Sequence, residues 1–272
     1  MIEILLERAV VQIKGADSQK FLQGMVTNDI VKHTYSYNYL LNNQGKYLFD
    51  FFVLKQKDGS YLLDIHKDSL DIFLKRLNLY KLRSNIEIND LSDEYNVFYS
   101  KIEISSDMEF SLKDPRYKKL GYRSYIKSSN IDKLLQTTRN LYISDKYKYT
   151  IIDGNTDLVF ERSMPIEYGG EELHAISYQK GCYVGQEVVS RIKYQGVVRK
   201  KIFKLIFGAK IVVNLQGAAV IDMNDNQLGI VCSNYKDQAI ALLREESYLN
   251  LERKIARIEN QLVDIAVPCW QN

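Results

Sequence analysis

Lys180-Gly181-Cys182-Tyr183-Val184-Gly185-Gln186-Glu187 brings a lysine, a cysteine, two glycines and a carboxylate into eight consecutive positions, with Tyr178 and Gln179 leading into it. Glycine tolerates positive φ and lets a ligand approach the backbone, so the run reads as a turn. The reactive form of cysteine is the thiolate, and an ammonium beside the sulfur favours it. Lys180 supplies one where the fold brings it close. Val188, Val189 and Ile192 follow at helical spacing. That spacing predicts a helix from Gln186 or Glu187, with Cys182 just ahead of its N-terminus, where the helix dipole acts in the same direction. A solitary cysteine is more often a small buried hydrophobe than a nucleophile. Its neighbours here argue for a reactive thiol.

Toward the N-terminus the pattern mixes strands and helices. Ile2 to Ile13 alternates as one or two strands, and Asp17 is placed to cap a helix that carries Phe21, Leu22, Met25 and Val26. Tyr39 to Leu41 and Tyr47 to Val53 flank Asn42-Asn43-Gln44-Gly45 as the arms of a hairpin. Tyr61 to Ile65 follows the turn at Asp58 and Gly59. Leu70, Ile72, Phe73, Leu77 and Leu79 predict an amphipathic helix ending near Arg83, before strand-like runs at Ile86 to Ile88 and Tyr95 to Tyr99. A second helix is expected over Ile131 to Thr138. Beyond Arg199, short β runs at Ile202 to Phe207, Ala219 to Ile221, Gly229 to Cys232 and Ala239 to Leu243 signal a small barrel or sandwich. Residues 249–261 fit either a helix or that β unit.

Lys180 to Glu187 also matches, at every fixed position, a signature of lysine, glycine, cysteine, aromatic, any residue, glycine, glutamine and glutamate. In this the chain resembles the YgfZ family. Weaker likeness runs through Phe21-Leu22-Gln23-Gly24 with Thr27-Asn28-Asp29, through Gln44-Gly45-Lys46 with Asp50, and through Asp114-Pro115-Arg116 with Leu120, Gly121 and Arg123. It continues in Gly229 to Ser233 and Ala241 to Arg244. The resemblance implies an α+β fold shared with the aminomethyltransferases: a ring of subdomains over 1–198 around a channel that holds tetrahydrofolate, then a C-terminal β-barrel over 199–272. It further implies a role in assembling or repairing iron–sulfur clusters for client enzymes, some of which modify tRNA. Carried onto this sequence, Cys182, Lys180 and Asp50 are the candidate catalytic groups. Asn28, Asp29, Asp50, Arg116, Arg123, Gln186 and Glu187 are the candidate folate contacts.

Two other functions stay open. Aminomethyltransferases carry paired aspartates after their hairpin glycines, and Phe49 stands here in place of the first. A carboxylate near the folate nitrogen is the natural group to assist C–N cleavage, so the change counts against glycine-cleavage chemistry without removing Asp50. The basic residues Arg191, Lys193, Arg199, Lys200, Lys201 and Lys204 suit a weak tRNA contact in a non-enzymatic protein, or an ordinary solvated face.

Composition bounds the rest. The chain has 272 residues, 46% hydrophobic and 26% charged, with a net charge of +3, which is ordinary globular usage. Cys182, Cys232 and Cys269 lie far apart, and His33, His66 and His174 form no spaced pair with one another or with a cysteine, so no metal site is expected. Thiols in odd number suit a reducing compartment. With no signal-like N-terminus and no long apolar stretch, a cytoplasmic location without membrane contact is expected.

Overall fold

The computed structural model describes residues 1–104, 110–129 and 138–271. The helix expected over Ile131 to Thr138 falls on positions 131–137, outside the described residues. The architecture is built from two antiparallel sheets and a closed barrel.

The first sheet has the order β3-β4-β5-β2-β6, formed by β2 (Arg8–Lys14), β3 (Tyr35–Leu41), β4 (Tyr47–Lys55), β5 (Tyr61–His66) and β6 (Glu87–Asp90). Asn42 closes the β3–β4 hairpin by accepting from the amides of Gln44 and Lys46 through Oδ1. β4 is buried along its length except at Lys55, so both its faces serve a core. Phe49, Phe51 and Val53 point to one side, where Phe21 and Leu22 of α1 (Ser18–Gln23) and Phe73 and Leu77 of α2 (Leu70–Lys81) cover them. Two-residue periodicity then sends Asp50, Phe52 and Leu54 toward the middle of the molecule, and the register shift opposite Leu40 and Leu41 turns Tyr47 to the same side. Asp17 precedes α1 as expected but makes no cap bond; its carboxylate instead accepts from the Asn85 amide at 2.7 Å.

The second sheet has the order β1-β7-β9-β8, formed by β1 (Ile2–Ile4), β7 (Tyr95–Ser100), β8 (Phe110–Lys113) and β9 (Tyr122–Lys127). Leu5, Val10, Leu54, Leu62, Val97, Tyr99 and Tyr125 join the two sheets in one apolar layer. α3 (Leu141–Tyr149) and the single turn α4 (Gly154–Asp157) lie where both sheets meet the barrel.

The barrel closes in the order β10-β13-β12-β11-β14-β15, which leaves no free strand edge. Its strands are β10 (Lys200–Phe207), β11 (Ala219–Ile221), β12 (Gln227–Tyr235), β13 (Gln238–Arg244), β14 (Ile255–Ile258) and β15 (Gln261–Ala266). The undecided stretch after Leu249 thus divides, with α6 (Glu245–Leu249) before it and β14 within it. Phe203, Leu205, Val231 and Ile265 fill the interior. On its outer side Ile202, Cys232, Ile240 and Leu242 join the central core with Tyr37, Tyr39 and Trp270, so barrel and sheets share one apolar cluster. Trp270 locks the C-terminus to α3 by donating from its indole nitrogen to the carbonyls of Tyr149 and Thr150.

Candidate functional site

Cys182 is exposed on a loop held at both sides. On the N-terminal side, Lys180 is buried and its ammonium donates to three carbonyls: Gln23 at 2.7 Å, Val26 at 2.5 Å and Asn28 at 2.8 Å. An ammonium has three donors, and all are engaged. Burial brings this lysine down to about 8, against the pull of Asp29. On the C-terminal side Tyr183 is buried, the Val184 amide donates to Gly24 at 3.3 Å, and Gly185 takes φ +85°. A Cβ there would come within 2.6 Å of the Asn42 carbonyl, so only glycine fits. α5 (Gln186–Gln195) starts immediately after, as its apolar spacing predicts, and buries only Val189. Gln186 accepts from the Tyr183 amide at 3.3 Å, and Glu187 stands exposed in the first turn.

The second region is charged and buried. Asp50 accepts from the hydroxyls of Tyr37 at 2.7 Å and Tyr47 at 2.9 Å, one on each oxygen. The Gly154 backbone lies against it so closely that a Cβ would collide with the carboxylate. Asp50 lines a cavity of about 280 Å³ with Arg8, Arg123, Tyr142, Lys146, Tyr147 and Asp153. Asp64 binds Arg8 at 2.5 Å and Arg123 at 3.0 Å. Arg116 binds Asp114 at 2.7 Å and Asp153 at 2.7 Å, and Lys146 binds Asp157 at 2.9 Å. Asp157 in turn accepts from Ser233 of the barrel. Burial alone would raise Asp114 and Asp153, but Arg116 with Arg123 behind it, and Lys146 with Arg116, hold the two carboxyls below the usual range. Asp157 goes the other way, raised by burial and by Asp153 beyond what Lys146 restores.

The candidate residues therefore divide between places. Asp50 and Arg123 share the cavity. Arg116 is fully buried behind it, with every guanidinium donor on Asp114, Asp153, Tyr142 or the Ile152 carbonyl. Asn28 donates to the carbonyls of Tyr37 and His174 and lines a separate cleft of about 590 Å³ with Tyr35, His174 and Tyr178. Asp29 shapes the turn after α1 by accepting from Gln23, Val31 and Lys32. Cys182, Lys180, Gln186 and Glu187 belong to the thiol loop. Within the basic segment, Lys193 pairs with Glu171 and Lys201 with Glu245. Among the described residues no group of three or more His, Cys, Asp or Glu side chains could hold a metal ion.

Arg8, Asp64, Lys146 and Asp153 were not among the expected site residues. Arg8 and Asp64 sit in alternating strands where outward polar residues are ordinary, and Lys146 lies in a helix whose polar sequence looks solvated. Long-range packing buries them: Arg123 and Tyr125 of β9 reach Asp64, and Asp157 of α4 meets Lys146.

No family model matches the chain. A protein of Mycosarcoma maydis described as a mitochondrial iron-sulfur cluster assembly factor IBA57 homolog is 33% identical over 227 residues, covering 74% of this chain and 55% of its own length. One of the same description from Pyricularia oryzae is 31% identical over 219 residues, covering 74% and 56%. The chain thus spans just over half the length of these curated relatives. The crystal structure of the glycine cleavage system aminomethyltransferase T from Bartonella henselae superposes over 98% of this chain and 84% of its own, with a TM-score of 0.75 at 11% identity. The chain has the aminomethyltransferase fold, α+β with a closed six-stranded C-terminal barrel, and it is similar in sequence to iron–sulfur cluster assembly factors.

Proposed function

We propose that this chain assembles or repairs iron–sulfur clusters for client enzymes, with Cys182 as a thiolate ligand to the cluster in transit. One observation carries the reading: the thiol is exposed, while the backbone on either side of it is fixed by Lys180 and Gly185. A transfer ligand must reach a partner and still stand in a defined place. Cys182→Ala should abolish maturation of dependent iron–sulfur enzymes in cells. Full client activity in that variant would sink the thiol role.

Tetrahydrofolate is the proposed cofactor, held at the cavity of Asp50. Asp50 offers a carboxylate to a pterin edge, Arg123 brings a positive charge to the same wall, and Tyr142 and Tyr147 supply aromatic surface. About 280 Å³ lies at the lower edge of the roughly 300–1,000 Å³ of small-molecule sites, so the cavity admits the bicyclic head and leaves the glutamate tail outside. When bound, the folate supplies a carrier for one-carbon units. Calorimetry should show tetrahydrofolate binding that Asp50→Ala weakens by about tenfold, the loss of one charge-assisted bond, and that Cys182→Ala leaves unchanged. Absence of binding by the native chain would remove the folate and leave the thiol reading intact.

The position of Asp50 in an aminomethyltransferase fold favours aminomethyl transfer as the second reading. Formation of methylene-tetrahydrofolate from an aminomethyl-lipoyl carrier is required by that reading alone. A weak tRNA contact through Arg199 and Lys200 completes the set of proposed partners and would fall steeply with salt. The three free thiols suit a reducing compartment, and we place the chain in the cytoplasm, although the relatives are described as mitochondrial.

A further inference from the structure

Lys180 stands two residues from Cys182, which invites the reading that its charge activates the thiol. The geometry points elsewhere: we infer that Lys180 is a positioning residue, whose ammonium clamps the Cys182 loop to the turn after α1. The inference rests on the cluster-transfer reading above.

Three carbonyls converge on one nitrogen at 2.5–2.8 Å, and they belong to a single short stretch, residues 23–28. The Tyr183 ring lies 5.1 Å from the same ammonium and closes the seat from the loop's own side. The same stretch receives the Ser177 amide at the Thr27 carbonyl and the Val184 amide at the Gly24 carbonyl. The Thr27 hydroxyl returns a bond to the Ala175 carbonyl. Residues 175–184 are thus laced onto residues 23–28, and Lys180 is the one buried charge in the lacing. Gly181, whose surroundings are open, and exposed Cys182 form the free tip between Lys180 and Tyr183. With no donor left over, Lys180 sets where the thiol stands and does not hydrogen-bond it. A buried charge with three acceptors is an unforgiving clamp, because removing the ammonium leaves three carbonyls to find other donors.

The test compares the native chain with Lys180→Met, which removes all three donors, and Lys180→Gln, which keeps two and serves where the methionine variant fails to fold. All carry Cys269→Ser so that Cys182 is the exposed thiol. The pH midpoint of Cys182 alkylation by iodoacetamide should stay where it is, while amide exchange across residues 181–185 should quicken by about tenfold or more, as expected for losing charged hydrogen bonds. Maturation of dependent iron–sulfur enzymes in cells, normalised to the amount of folded variant, should fall by a similar factor, less for Lys180→Gln. An alkylation midpoint displaced upward by about one pH unit would make Lys180 an activator and overturn the inference. Unchanged client maturation with quickened exchange would make it merely structural and equally overturn it. Exchange and alkylation need no client. If Cys182→Ala matures the clients as the native chain does, the transfer reading fails, while the clamp is still read from exchange.

Discussion

Cys182 stands exposed between a buried lysine and a glycine with positive φ, whereas Asp50, 4% exposed, gives each of its oxygens to a tyrosine hydroxyl. Around the thiol, one side chain, the Lys180 ammonium, works with backbone groups to do the holding, and α5 buries Val189 alone. Around the carboxylate, almost every polar atom is matched by an opposite charge, from Arg8 through Asp64 and Arg123 on one side and from Arg116 through Asp153 to Lys146 on the other. Reactivity toward a large partner asks for exposure at a fixed point. A cavity between sheets must instead keep charges buried beside it, which requires that those charges satisfy each other. The fold serves the first with a loop before a helix and the second with a junction of two sheets, α3 and the barrel.

That contrast is most exposed to test in Arg116. Arg116→Ala would leave Asp114 buried without its main partner and Asp153 without one of its two cations, which costs about 3–5 kcal/mol in the breaking of a buried ion pair. Cys182→Ala should change stability by no more than about 0.5 kcal/mol, the range for surface substitutions. Urea unfolding of both variants measures the difference. A neutral Arg116→Ala would mean that the network does not hold the sheets and α3 together, and the two regions would no longer differ as described. Next in size is Gly185→Ala, which forces a Cβ into φ +85° beside the Asn42 carbonyl and should cost about 1–2 kcal/mol. Its effect belongs to the thiol loop, so client maturation should fall while tetrahydrofolate binding holds. Loss of folate binding in this variant would join the two regions into one site.

How far these regions were legible beforehand follows from how each is built. The thiol loop is local: the glycines, the cysteine and the start of α5 lie within a dozen residues, and periodicity alone places the helix at Gln186. The hairpin that carries Asp50 was legible for the same reason, through alternation and the Asn42 to Gly45 turn. What eluded the sequence is long-range. Lys180 reads as the neighbour of Cys182, yet its partners lie more than 150 positions away, at Gln23, Val26 and Asn28. Arg116 and Arg123 read as candidate folate contacts, but the fold supplies Asp114, Asp153 and Asp64 to them first. α3 gave little signal, since its buried Asp145 and Lys146 look like surface residues until Asp157 and Tyr99 come to meet them. Four of the barrel's six strands were visible, but not β15, nor that the outer face completes the central core through Ile202, Ile240 and Trp270.

The smallest effect expected lies in acid. Asp114 and Asp153 are held below their unfolded value, so each adds stability that is present above about pH 4 and is lost as the pH falls through its folded value. Asp157 is raised and works in the opposite direction: the unfolded chain ionises it first, so its contribution declines as the pH rises above about 4. The two tendencies partly cancel near pH 4, and the net loss appears below it. Asp153→Asn removes one lowered carboxyl and also the charge that helps to raise Asp157. Its unfolding free energy, followed by urea titration from pH 5 down to 2, should start lower than that of the native chain and fall less steeply, with Asp29 contributing equally to both. Parallel curves would mean that Asp153 does not carry the buried charge at this junction. In that case Arg116 and Lys146 would be balanced from elsewhere, and the cavity of Asp50 would resemble the thiol loop more than its burial suggests.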